Sequence, residues 1–334
     1  MSAELKQKYV DLLKEYIHSP SESLLYEGGE LSKAFIQAGI APEDVVGLHV
    51  SQLKGMFPHL DERVFRSFSL LIEVMVGYGF QYREHESLLE KQLEIDFELE
   101  VAASMQRTLL PQVPSHIPEI DLGFVSVAAK EMSGDYYYFN YQPEKSSLAV
   151  AVADIIGKGI PAALSMSMIK YAIESLVEHG FSPNVLLENI NRVVEKNIHR
   201  SMFITMIYGV YDLKTHQFCY ATAGHEPPLY YSHKDKACYD LPYKGLALGV
   251  WPDVQYSTFQ QNVSSGDMLI LFSDGVTESE RKGEFINRRV FADLIVQWAH
   301  LPAQEMVDEI QQTLLRWSNF HLKDDQTILV LKRP

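Results

Sequence analysis

Four segments of this sequence put a carboxylate at the end of an apolar run. In "SLAVAVADIIGKG" the small apolar residues Ala149 to Ala153 read as a strand buried on both faces, and the run delivers Asp154. In "SGDYYYFNY" Asp135 stands just before a strand, and "GDMLILFSDGVTE" exits a strand into Asp274. "HLKDDQTILVLKR" sets Asp324 and Asp325 just before a fourth. A lone carboxylate at a dry strand end is costly unless something pairs with it. The strands 136–141 and 148–153 are joined by the turn-forming "QPEKSS". An in-register hairpin pairs Tyr141 with Leu148 and, counting outward, Asp135 with Asp154. Directly opposed strand residues sit about 4.5–5.5 Å apart. If 267–272 and 327–332 run antiparallel in one sheet, their acids share one end too, with helices at 288–317 forming the connection.

Two carboxylates ~5 Å apart repel by roughly 3 kcal/mol at an effective dielectric near 20. Three or four together either share protons or bind cations. Oxygen-only ligands favour Mg²⁺ or Mn²⁺, and no His or Cys accompanies these segments at zinc-ligand spacing. Two such ions ~3.5–4 Å apart make a phosphoryl-transfer site that activates a water in line with phosphorus and needs no covalent nucleophile. Taken singly, an Asp beside Gly, as in "SGD" and "SDG", is an ordinary turn former. Gly157 and Gly159 let the chain turn before Pro161 opens a helix, whose N-terminus helps to hold an anion.

The elements that must position these acids follow from the rest of the pattern. The fold class is α+β. Residues 1–83 read as four helices, near 2–17, 21–38, 42–55 and 61–82, broken at "HSPSES", "AGIAPED" and "FPHLDE". Pro42 and the acids behind it suit a helix first turn. The fourth helix is apolar nearly all round and reads as buried on every side. So small a bundle has little core of its own, and we expect it to dimerise. Residues 84–111 read as a linker helix and possible coiled coil, with Leu88, Ile95, Ala102 and Leu109 on one seam beside Gln92 and Gln106. From 112 to 334 short strands predominate, near 121–128, 202–211, 217–223, 228–232 and 255–261 besides those above. Helices are expected near 160–178, 183–198, 288–300 and 303–317. Long helices in pairs between antiparallel hairpins indicate α+β, not a doubly wound sheet.

Composition narrows the function. The 334 residues carry a net charge of −15, which disfavours nucleic acid or an anionic membrane as the main partner, and with them a nuclease. Two cysteines, Cys219 and Cys238, give no disulfide framework. With no signal-peptide core and no ~20-residue apolar span, a cytoplasmic protein is expected. The Walker, zincin, nucleophile-elbow and dinucleotide-binding motifs do not occur.

Taken together, "GDYY", "ADIIGKG", "SDGVTE" and "DDQT", in this order, resemble the metal-dependent protein phosphatase family, PPM. The resemblance implies a β-sandwich of two antiparallel sheets flanked by helices. It implies metal ligands at Asp135, bridging two Mn²⁺ or Mg²⁺ ions, Asp154, the carbonyl of Ile155, Asp274 and Asp324. Asp324 is chosen over Asp325 because the family has an acid followed by Asn or Asp there. Asp135 and Asp154 are also the expected catalytic acids. Lys130 stands five residues before Asp135, where some members carry a phosphate-binding Arg, and a point charge there suits phosphate. Ile156 occupies the place of a histidine proposed as general acid in some members, so no general acid is named. The N-terminal "LLIEVMVGYGF", then "EVAASMQRTLLP", "KEMSGDYY", "GIPAALSMSMIKYAIESL" and "TAGHEPPLYY" narrow the resemblance to the RsbU-type phosphatases of the general stress response. That subgroup implies a phosphorylated STAS-type anti-anti-sigma factor as substrate. It also implies a serine-kinase-like switch protein as activator at the N-terminal domain. His225 in "GHEPP" receives no role beyond that of a structural loop residue.

Overall fold

The computed structural model describes residues 2–156, 159–177, 180–198, 202–281 and 283–334. The chain forms two compact units, Met1–Ile95 and Asp96–Pro334.

In the first unit α1 (Ala3–His18), α2 (Glu22–Gln37) and α3 (Pro42–Met56) precede the start of α4 (Glu62–Leu109). Ser2 and Ser21 cap α1 and α2 by accepting from the Leu5 and Leu24 N–H groups. Pro42 begins α3 with Glu43 and Asp44 behind it, as its sequence predicts. Val10, Leu13 and Phe35 form a small core, beside which the Tyr9 hydroxyl meets His49 Nδ1 at 2.8 Å. Two expectations need correction here. The helix at 61–82 does not stop for a separate linker; α4 continues to Leu109, since no Gly or Pro interrupts it after Gly79. The boundary between the two compact units falls within α4, after Ile95. Nor is 61–82 buried on every side: Leu70, Val74 and Phe80 are 69, 55 and 64% exposed, because three short helices cannot cover its whole circumference.

The second unit contains two five-stranded antiparallel sheets. One has the order β2-β3-β4-β5-β8, built from β2 (Asp135–Gln142), β3 (Ser147–Ile155), β4 (Ile204–Asp212), β5 (Gln217–Ala223) and β8 (Phe259–Asn262). The other has the order β1-β12-β9-β6-β7, from β1 (Asp121–Val127), β6 (Leu229–Ser232), β7 (Ala237–Asp240), β9 (Met268–Phe272) and β12 (Gln326–Lys332). Helices α5 (Ile160–Val177) and α6 (Pro183–Asn197) pack on the first sheet, and α8 (Arg288–Trp298) and α9 (Ala303–Trp317) on the second. A one-turn helix α7 (Asp274–Thr277) and the small pair β10 (Glu280–Arg281) and β11 (Glu284–Phe285) follow β9.

Alternation along the strands sorts the core into layers. Ala149, Ala151 and Ala153 of β3 face α5 and α6, where their small size lets Met166, Ile169 and Ile173 approach. Leu148, Val150 and Val152 face the other sheet. Continuing the alternation puts Asp154 on the inter-sheet side. The same period in β12 turns Leu329 and Leu331 inward toward the first sheet and Ile328 and Val330 toward α8 and α9. Gly159 adopts a left-handed φ of 77° before α5, while Gly157 and the expected helix end at residue 178 lie outside the described residues. Among the described residues, no helix is long and apolar enough to cross a membrane.

Candidate metal centre

The hairpin register is the one counted from the sequence: Tyr141 opposes Leu148 and Asp135 opposes Asp154. The second pair of strands is also antiparallel, with Phe272 opposite Ile328, so the acids after β9 and before β12 sit at a common end. The two sheets join at that end through a hydroxyl. Thr327 donates to Asp135 Oδ2 at 2.6 Å, and Ser126 Oγ lies 3.0 Å from the Thr327 hydroxyl. Asp135 is 2% exposed. Burial pushes its carboxyl well above the usual range, partly opposed by hydrogen bonds from Thr327 and Ser273.

The other acids act on one another across this end. Burial first, then the charges of Asp274, Asp324, Asp325 and Glu278, raises Asp154 to about 7. Burial first, then Glu278, Asp324 and Glu226, raises Asp274 to about 6. The two adjacent aspartates of "DDQT" have separate geometries. Asp325 accepts from the Ala129 N–H at 2.7 Å and, with its other oxygen, from the Gly134 N–H. It is a bracket that holds the β1–β2 loop. Asp324 is the half-buried member whose charge reaches both Asp154 and Asp274.

Two glycines are set by close approach. A Cβ on Gly134 would lie 3.2 Å from both Asp154 Oδ1 and the Ile155 carbonyl oxygen, so these two donors face the same backbone gap. A Cβ on Gly275 would sit 2.1 Å from the Asp325 carbonyl oxygen. The glycine of "SDG" therefore lets the last acidic segment pass against α7, in addition to favouring a turn. Lys130 is exposed on the β1–β2 loop, one residue beyond the N–H that Asp325 holds.

Among the described residues, no three His, Cys, Asp or Glu side chains form a ready-made ligand cluster. The acids share one end of the sandwich, close enough to shift one another's ionisation, without closing on one point. Their donor set fits a hard divalent cation: carboxylate oxygens and one carbonyl, with like charges that a cation would neutralise.

Sequence reasoning missed several supporting residues. Gln106, read as a coiled-coil seam position, lies in the second unit and is 4% exposed. Its Nε2 donates to the Ser133 carbonyl at 2.6 Å and its Oε1 accepts from the Ser133 N–H at 3.0 Å. Ser133 Oγ in turn accepts from the Asp135 N–H at 3.1 Å. Glu278 and Glu226 also add charge near Asp274, and only Glu278 had a sequence signal, as the end of "SDGVTE".

Comparison with known proteins agrees with this architecture. The family described as "Stage II sporulation protein E (SpoIIE)" matches residues 144–334, and "Phosphoserine phosphatase RsbU, N-terminal domain" matches residues 7–81. Phosphoserine phosphatase RsbU of Bacillus subtilis is 48% identical over 329 residues, covering 98% of both chains. Among solved structures, the SiaA-PP2C domain of Pseudomonas aeruginosa aligns with a TM-score of 0.65 at 21% identity, over 73% of this chain and 99% of its own. A structure of RsbX in complex with magnesium aligns with a TM-score of 0.51 at 20% identity, over 67% of this chain and 99% of its own.

Two outcomes follow from the geometry. An unfolded aspartate ionises near pH 4, whereas Asp154 and Asp274 do so at about 7 and 6 in the fold. The unfolded chain thus binds fewer protons between these values, and metal-free stability falls as pH rises from about 4 to about 7. Asp154→Asn in EDTA should raise the urea midpoint at pH 8 and leave it little changed at pH 4, with excess Mn²⁺ reversing the order at pH 8. Gln106→Ala strands the Ser133 N–H and carbonyl, which costs about 1–3 kcal/mol by urea titration and lowers Mn²⁺-dependent turnover.

Proposed function

The chain belongs to the RsbU family of PPM serine phosphatases, and on that premise we propose that it hydrolyses phosphoserine or phosphothreonine on a STAS-type anti-anti-sigma factor in a partner-switching stress pathway. The observation that carries the site assignment is the cross-strand pairing of Asp135 with Asp154 at the end where Asp274 and Asp324 also lie. In this reading Asp135, Asp154, the Ile155 carbonyl, Asp274 and Asp324 hold two Mn²⁺ or Mg²⁺ ions. When bound, such ions supply an activated water and neutralise charge on the phosphoryl group.

The chain's own residues supply the frame. Thr327 and Ser133 fix Asp135 at its side chain and its N–H, and Asp325 fixes the loop before it. Asp154 and Asp274, driven toward their protonated forms by burial and by neighbouring acids, would exchange that proton for a bound cation. Lys130, exposed on the same loop, is the residue we assign as a point charge for the phosphate. No side chain is assigned as general acid; Ile156 is apolar, so the leaving serine oxygen would take its proton from water or leave with the help of a bound ion.

The exposed apolar side chains of α4 in the first unit support a homodimer through the helical N-terminal domain. The same domain is the docking place we assign to a serine-kinase-like activator. A match of RsbU's N-terminal domain to residues 7–81 supports that assignment.

Asp154→Ala should lower Mn²⁺-dependent hydrolysis of a generic phosphoester by roughly a hundredfold or more. Titration of Mn²⁺ against a panel of phosphorylated STAS-type proteins, with and without candidate activators, identifies the substrate. Turnover unchanged in Asp154→Ala would remove the site assignment. Sedimentation of the full chain should report a dimer, and Leu70→Glu with Val74→Glu should shift it to monomer. A wild-type monomer at micromolar concentration would contradict the dimer.

A further inference from the structure

His225 is a buried group that the phosphatase reading leaves without work. It follows β5 and is 4% exposed, at the same end as the acids. Its Nδ1 lies 2.9 Å from the Thr205 hydroxyl. Thr205 is the register partner of Asp154 on β4, as Asp135 is on β2, so the three side chains stand in a row on one face. The loop bearing His225 is held firmly. Arg288 reaches Glu226, the Pro227 carbonyl and Asp240, and its guanidinium lies 5.0 Å from the centre of the Phe272 ring.

One tautomer of His225 gives the Thr205 hydroxyl a defined direction. Burial lowers the histidine to about 4, so the ring is neutral at pH 7 and carries one N–H. The Phe272 carbonyl acts on the ring as an acceptor, although Nε2 has no hydrogen bond of good geometry. An N–H on Nε2, facing that carbonyl, would leave Nδ1 as the acceptor. In that tautomer Thr205 is the donor. Its single hydroxyl proton is used on His225 and is withheld from Asp154. Among the described residues, no hydrogen bond reaches the Asp154 carboxylate, in contrast to Asp135 and Asp325, which are anchored by hydroxyl or N–H donors.

We propose that His225 is a positioning residue for the metal centre: by accepting the Thr205 proton it keeps Thr205 from capping Asp154 and leaves both Asp154 oxygens to a divalent cation. The neighbours are within reach of a cross-strand hydrogen bond, so a Thr205 released from His225 turns its proton to the carboxylate and competes with the ion. This inference rests on the reading that these acids hold Mn²⁺ or Mg²⁺.

The test is Mn²⁺ binding to the full chain, followed by calorimetry and by the electron paramagnetic resonance of free Mn²⁺, with no substrate present. His225→Leu, which cannot accept, should weaken Mn²⁺ about tenfold. His225→Gln, which offers an acceptor oxygen, should restore most of that loss. Thr205→Val removes the competing proton, so the double variant His225→Leu/Thr205→Val should return to within about twofold of wild type. A His225→Leu protein with wild-type affinity, or a double variant as weak as the single, would overturn the proposal. If His225→Leu does not fold, Thr205→Val alone decides: affinity unchanged supports a hydroxyl held away from the carboxylate, and a tenfold loss contradicts it. Absence of Mn²⁺ binding in the wild type would instead defeat the metal reading itself.

Discussion

The mutual repulsion of carboxylates gathered at one end of a sandwich is the constraint that organises this domain. Two such groups ~5 Å apart cost roughly 3 kcal/mol, and here Asp135, Asp154, Asp274 and Asp324 share the end, with Asp325 just behind them. A fold accepts that cost only if rigid elements hold the groups in place. The strands that deliver them are among the most deeply buried of the chain, as β3 and β9 show. The stability of the apolar layers offsets the electrostatic strain at their ends, which is the general bargain by which sites are kept unfavourable without a ligand.

Not all the acids are treated alike. Asp325 spends its two oxygens on main-chain N–H groups, and Asp135 spends one on a threonine from the opposite sheet. These anchored acids set the geometry. Asp154 and Asp274, raised as Asp135 is, have no side-chain donor among the described residues and are the ones a cation would relieve most. The division between anchoring and open carboxylates gives the end a fixed rim and a responsive centre. Gln106 extends the fixed rim to the last turns of α4 through Ser133.

The hairpin that pairs Asp135 with Asp154 was legible because its register is local: a short turn and a period of two determine it. The antiparallel relation of β9 and β12 is only a condition at the level of sequence, because strand order is not local, and the structure meets that condition. What stayed hidden depended on distant contacts. Gln106 has the look of a heptad polar residue, and only its packing against a loop 27 residues away reveals its use. Thr205 and His225 lie far from Asp135 in sequence, and neither has a local pattern of chemical meaning. The stretch 84–109 is helical as its pattern predicts, and since nothing in it stops a helix it is continuous with the helix before it. Short edge strands such as β7 and the pair β10 and β11 carry too few residues to show a period.

The central claim is that these oxygens share divalent ions, and anomalous diffraction from crystals grown with Mn²⁺ tests it most directly. The account predicts two peaks about 3.5–4 Å apart, ligated by Asp135, Asp154, Asp274 and Asp324, with the Ile155 carbonyl on one of them. Peaks elsewhere on the chain, or none within coordinating distance of Asp135 and Asp154, would contradict it.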